Sequence, residues 1–116
     1  MRSARPATNT GLNLCLALNY GAHDEILETA RTLVRCAADG SVAPEEITES
    51  RFERALFTGN MPALDLLIRT AGERRLSNFL LWQASGAEFY QSSVCWPEFR
   101  SPDLKAAILD YAKRER

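Results

Sequence analysis

The sequence predicts an α/β fold, a parallel sheet flanked by helices. Apolar runs of strand length recur over 12–20, 64–69 and 87–91. Between and after them lie stretches with apolar residues at helical spacing. Strands that alternate with helices are joined by crossovers, and crossovers make neighbouring strands parallel. At 116 residues, 46% of them apolar and 25% charged, the chain has a globular composition and the length of at most one small domain.

Residues 1–10 offer little to bury, so they predict a poorly ordered lead-in, with the domain proper over 11–116. The opening Met-Arg-Ser-Ala-Arg-Pro has no apolar core of the kind a secretory signal needs. Over 12–20, leucines stand at 12, 14, 16 and 18, and the alternate face is also largely apolar from Cys15 to Ala17. That suits a strand covered on both faces. Asn19, Tyr20 and Gly21 end it. Turn-forming residues commonly end strands, which is the structural reading of Asn19 and Tyr20. The functional reading puts both beside a site, because they too lie at a carboxyl edge.

Residues 24–38 predict a helix with Ile26, Leu27, Ala30, Leu33, Val34 and Ala37 inward. Asp24, Glu25 and Glu28 precede Arg31 and Arg35, an order that complements the helix dipole, and these charges read as a solvated face. Gly40 is the stop. Pro44 suits a first helical turn, and a second helix is expected over 48–57, with Ile47, Phe52, Ala55, Leu56 and Phe57 as its contacts. Residues 58–62 are turn formers leading into the strand over 64–69. Ser77 is placed to cap a short helix over 78–83, in which Phe79, Leu80, Leu81 and Trp82 read as core or interface. Ser85-Gly86 turns the chain into the last strand, and Trp96-Pro97 packs and stops. Ser101-Pro102-Asp103 starts a final helix with Leu104, Ala107, Ile108 and Tyr111 inward.

The net charge of −1 gives no sign of a general nucleic-acid binder. No apolar run reaches the roughly 18 residues of a membrane span. Cys15, Cys36 and Cys95 are odd in number and form no C-x-x-C pair, which reads as reduced cysteines in a cytosolic protein. His23 is the single histidine and lacks the clustered companions of a zinc site.

The chemistry concentrates between residues 65 and 88. The strand over 64–69 breaks at Thr70-Ala71-Gly72, where glycine permits a sharp turn. Arg69, Arg74 and Arg75 surround that break, and Ser77 follows. In open parallel sheets ligands bind at the carboxyl ends of strands. Guanidinium forks suit phosphate oxygens. The plain alternative is that the arginines are solvated loop residues paired with Glu73 and Asp65.

I-R-T-A-G-E-R-R-L-S-N-F-L-L-W-Q, then A-E-F-Y, then W-P-E-F, resembles the carboxyl-terminal signature of the cis-prenyltransferases, the undecaprenyl diphosphate synthase family. The likeness runs from about Asn9 to Arg116 and covers about the second half of that family's usual catalytic domain. It implies condensation of isopentenyl diphosphate onto an allylic diphosphate with cis geometry, a Mg2+ cofactor, and a partner subunit. It implies that Arg69, Arg75, Leu76 and Ser77 hold the isopentenyl diphosphate and that Glu88 is a metal ligand. A cytoplasmic protein is expected, with peripheral membrane contact through a lipid product.

Two departures from the family pattern stand inside the signature. Ala71 occupies a place where Gly or Ser is common, and its methyl is tolerable if the backbone there is not left-handed. Arg74 replaces a His found in some members and adds a cation. The family's amino-terminal D-G-N-G-R-W-A-like stretch, with its catalytic aspartate, has no counterpart, so no catalytic residue is retained. The isolated chain is therefore expected to be inactive. It would need a homodimer or a partner carrying the other half. The alternatives are a non-catalytic accessory subunit and an unrelated phosphate-binding α/β module.

Overall fold

Two strands and two helices precede an alternating β-α-β-α segment in the computed structural model, which describes residues 2–4, 10–75 and 77–114. The elements are β1 (Arg2–Ala4), β2 (Leu14–Leu16), α1 (Ala22–Ala38), α2 (Glu49–Ala55), β3 (Leu66–Arg69), α3 (Leu81–Ala84), β4 (Glu88–Gln91) and α4 (Ser101–Lys113). Short 3-10 turns lie at Pro44–Glu46 and Trp96–Glu98. The contacts divide the chain into two units, residues 1–61 and 62–116.

In the first unit α1 turns a stripe of Ala22, Glu25, Thr29 and Leu33 inward. Val42 and Leu56 join the core. Glu25, expected on a solvated face, is 1% exposed. A buried carboxylate has to be hydrogen-bonded. One of its oxygens accepts from the Tyr20 hydroxyl, and the other accepts from the Phe57 backbone N–H at 2.8 Å. The Tyr20 and Phe57 rings meet edge to face, with centroids 6.4 Å apart. One side chain of α1 thus holds both the turn before that helix and the turn after α2. These bonds also set the helix's rotation. Leu27 and Val34, expected inward, lie roughly opposite Glu25 around the helix and are exposed. Asn19 adopts a left-handed turn (φ 51°) and Tyr20 anchors Glu25, so the structural reading of this pair describes them.

The strand expected over 12–20 contracts to three residues and pairs antiparallel with β1, with Leu16 opposite Arg2 and Leu14 opposite Ala4. Of the lead-in expected over 1–10, residues 1 and 5–9 lie outside the described residues. The leucine face is uncovered: Leu12 is 76% and Leu18 63% exposed, and Leu14 and Leu16 are exposed too. Alternation alone marks these residues as strand formers, but burial on both faces takes a layer on each, and among the described residues of this unit none covers the leucine side. In α2 the Thr48 hydroxyl accepts the Arg51 N–H at 3.2 Å and caps the helix. Leu56 leaves helical geometry and is buried. Gly59 then passes so close that a Cβ would sit 2.1 Å from the Arg54 carbonyl oxygen.

In the second unit β3 and β4 are parallel, with Leu66, Leu67, Ile68 and Arg69 opposite Glu88, Phe89, Tyr90 and Gln91. With α3 between these strands and α4 packed on β4, this is the predicted α/β arrangement of a parallel sheet flanked by helices. The expected helix over 78–83 starts later, at Leu81, after a left-handed Leu80 (φ 47°) and without a capping side chain. Ser77 is therefore not its cap. Pro102 sits in the first turn of α4, and the Asp103 carboxylate accepts the Arg100 N–H at 2.8 Å. Ala107 is buried, while Leu104, Ile108 and Leu109 remain exposed. No helix among the described residues is long and apolar enough to cross a membrane.

Glu25→Ala removes two hydrogen bonds to a buried charge and should lower unfolding free energy by about 3 kcal/mol, read by urea denaturation. An unchanged midpoint would contradict its organising role. The uncovered leucines and the apolar residues on α1 and α4 should make the purified chain bind a hydrophobic dye or self-associate. A compact monomer by light scattering with no dye signal is the opposing outcome.

Candidate functional site

β3 ends on Arg69, and the chain then turns through Ala71 (φ 63°) and Gly72 (φ 67°), both left-handed. The pairing with the β4 side does not stop where the strands stop. Ser92 N–H donates to the Arg69 carbonyl at 2.8 Å, and Gly72 N–H to the Ser92 carbonyl at 2.8 Å. Ala71 N–H donates to the Val94 carbonyl at 2.9 Å. The Gln91 side-chain amide donates to the Gly72 carbonyl at 2.7 Å. The loop after β3 is thereby stitched to the segment after β4.

Strand residues two apart share a face. With this register, Leu67, Arg69, Phe89 and Gln91 share one face of the pair, and Ile68, Glu88 and Tyr90 the other. On the first face lies a pocket of about 460 Å³, lined by Leu67, Arg69, Thr70, Glu73, Ser77, Phe79, Phe89 and Trp96 among others. Trp96, expected to pack, is 71% exposed at its edge. The Arg69 guanidinium, the Glu73 carboxylate and two hydroxyls line it, while Leu67, Phe79, Phe89 and Trp96 supply apolar surface.

The sequence-predicted residues do not all converge. Arg69 and Ser77 line the pocket. Arg69 is half-buried and has no ion pair among the described residues. Arg75 points to solvent: it is 82% exposed, with Nε 3.5 Å from a Glu73 carboxylate oxygen. Exposed pairs of this kind are weak and exchange readily, so Arg75 is a rim residue. Leu76 lies outside the described residues. Glu88 is on the opposite face, where Oε2 accepts from Arg114 Nη1 at 3.0 Å. Arg114 also donates to the Phe89 carbonyl at 2.8 Å and to Asp110 Oδ2 at 2.9 and 2.6 Å. Glu88 first and Asp110 second hold the guanidinium's pKa above its ordinary value.

This bears on the metal. Mg2+ takes six oxygens in near-octahedral geometry. Among the described residues no group of three or more His, Cys, Asp or Glu side chains is placed to hold a metal ion. One carboxylate already paired with a guanidinium does not fit a magnesium site by itself. Thr70, Phe79, Phe89 and Trp96 were missed as pocket residues because their facing depends on register and on the loop path. Arg114 was missed as the partner of Glu88, since 26 residues separate them.

The α/β chain thus carries a pocket of mixed polar and apolar lining at the carboxyl end of parallel strands. Comparison with known proteins gives its family. The prenyltransferase family model, described as undecaprenyl diphosphate synthase, matches residues 1–116. An isoprenyl transferase of Zymomonas mobilis is 50% identical over 110 residues, which are 95% of this chain and 44% of that protein. One from Geobacter sulfurreducens is 48% identical over 112 residues, 97% of this chain and 46% of that protein. The crystal structure of lavandulyl diphosphate synthase from Lavandula x intermedia, in complex with dimethylallyl diphosphate, superposes with a TM-score of 0.78 at 42% identity. That match covers 84% of this chain and 42% of the other. The chain belongs to the undecaprenyl diphosphate synthase family of prenyltransferases. It spans somewhat under half the length of the curated relatives it matches.

The left-handed backbone at Ala71 means that the condition for tolerating its methyl is not met, and the residue is strained. Ala71→Gly should hold or raise stability, whereas the branched side chain of Ala71→Val should lower it by about 1–2 kcal/mol in urea denaturation. Equal midpoints for all three proteins would contradict the left-handed turn.

Proposed function

We propose that the chain is the isopentenyl-diphosphate-binding portion of a cis-prenyltransferase, whose reaction condenses that substrate onto an allylic diphosphate and releases diphosphate. The observation that carries this reading is Arg69, half-buried at the carboxyl end of β3 in a pocket shared with Ser77 and apolar walls. Arg69 and the Ser77 hydroxyl would hold the diphosphate, and Arg75 would swing from Glu73 to join them. Leu76 would contribute backbone. Phe79, Phe89 and Trp96 would shelter the five-carbon tail from water. The likeness to a synthase solved with dimethylallyl diphosphate supports a prenyl diphosphate as the ligand class.

Mg2+ is the cofactor this reading implies. Glu88, the metal ligand expected from the resemblance, offers one carboxylate, and no step assigned here runs through the ion. The uncovered leucines support a partner surface, either a second copy or a polypeptide carrying the other half of the site. Without that partner the chain would be inactive. A cytoplasmic location, with membrane contact through the lipid product, follows from the same reading.

A second reading is a non-catalytic accessory subunit. The commitment of Glu88 to Arg114 favours it.

The test is incorporation of radiolabelled isopentenyl diphosphate with farnesyl diphosphate and Mg2+, alongside binding of isopentenyl diphosphate by calorimetry. The purified chain should bind without incorporating label. Arg69→Ala should weaken binding at least about tenfold, since charge-assisted bonds are the stronger class. Equal binding by mutant and wild type would sink the pocket assignment. Incorporation by the chain alone would sink the requirement for a partner.

A further inference from the structure

Gln91 lies outside the pocket wall, yet its side chain holds the loop that forms the pocket's rim. It stands opposite Arg69 in the β3–β4 register and on the same face. Its Nε2 donates to the Gly72 carbonyl at 2.7 Å. Gly72 is already held from its other side, because its N–H donates to the Ser92 carbonyl at 2.8 Å. The peptide planes on both sides of Gly72 are therefore fixed.

The second plane matters for binding. The Gly72 carbonyl and the Glu73 N–H belong to one planar unit, so fixing the oxygen fixes the direction of that N–H. It thereby holds the entry to Glu73, a residue of the pocket lining. Glycine has the widest choice of backbone angles, and a left-handed Gly72 beside a strained Ala71 would otherwise be free to flip that plane. Neither residue holds itself in place. The restraint comes from β4 and the segment after it, and among these bonds the one from Gln91 is made by a side chain.

We propose that Gln91 is a positioning residue for diphosphate binding: its side-chain amide locks the Gly72–Glu73 peptide and so holds the turn at the pocket that Arg69 and Ser77 line. This rests on the reading of the pocket as a diphosphate clamp. The experiment uses the full chain and inorganic pyrophosphate as probe, with affinity read by calorimetry and the amides of Ala71 and Gly72 followed by hydrogen exchange. Gln91→Met keeps the length of the side chain and removes the donor. Gln91→Glu keeps the shape and sets a carboxylate against the carbonyl.

Both variants should bind pyrophosphate roughly two- to tenfold more weakly, the range of one hydrogen bond. Exchange at residues 71 and 72 should quicken while the β3 amides and the melting midpoint stay unchanged, a pattern that general destabilisation does not give. If Arg69→Ala loses binding but both Gln91 variants bind as wild type does, the positioning role is overturned and the clamp stands. If wild type does not bind, or Arg69→Ala binds equally well, the clamp falls and the role of Gln91 in diphosphate binding falls with it.

Discussion

The second unit depends on the register between β3 and β4. Two four-residue strands make a small ladder, and alone it would be marginal. It is extended beyond the strands by the bonds from Ser92 to Arg69 and from Gly72 to Ser92, and at the other end by Glu88 N–H to the Asp65 carbonyl at 2.9 Å. That extension lets a left-handed Ala71 persist. The strain at one residue is offset by hydrogen bonds to a neighbouring segment, which over-determine the turn. The same register puts Arg69 on the pocket face beside Phe89. A slip of one residue would put them on opposite faces.

The first unit solves a different problem by a different means. Its core is small, with Ala22, Leu33, Val42 and Leu56 as the buried apolar residues. A carboxylate at its centre supplies direction where apolar packing gives little. Hydrophobic contact tolerates rotation of a helix, whereas Glu25 must meet a hydroxyl and a backbone N–H at once. The outward turn of Leu27 and Val34 follows from that requirement, as does much of the apolar surface the chain leaves uncovered.

Element types were legible in the sequence because they follow from local periodicity. α1, α2, β3, β4 and α4 fall within a few residues of expectation. What each element faces was less legible. Spacing put Leu27 and Val34 inward on α1 and Glu25 outward, and the structure reverses both. The leucines of the first strand announced a strand without saying what would cover them. Ser77 follows the arginine loop and so looked like a cap, but Leu80 turns left-handed and the helix begins beyond its reach. Arg69 and Ser77 were readable as pocket residues through family likeness. Gln91, Phe89 and Trp96 were not, since their placement is a property of register and loop path that no single stretch of sequence encodes.

β4 shows how one short strand serves two tasks. Glu88 and Gln91 are three residues apart and so project to opposite faces of the β3–β4 pair. On one face Gln91 reaches the rim of the pocket. On the other, Glu88 accepts from Arg114, which is oriented in turn by Asp110 four residues earlier and also bonds the Phe89 carbonyl. The last turn of α4 is thereby tied to the start of the strand whose end steadies the loop. Three residues of strand are stiff enough that an anchor at one end limits motion at the other. The Arg114 ion pair is only partly shielded from solvent, so as a lone surface contact it would contribute little. Its weight comes from where it acts, on the strand that sets the register of the pocket.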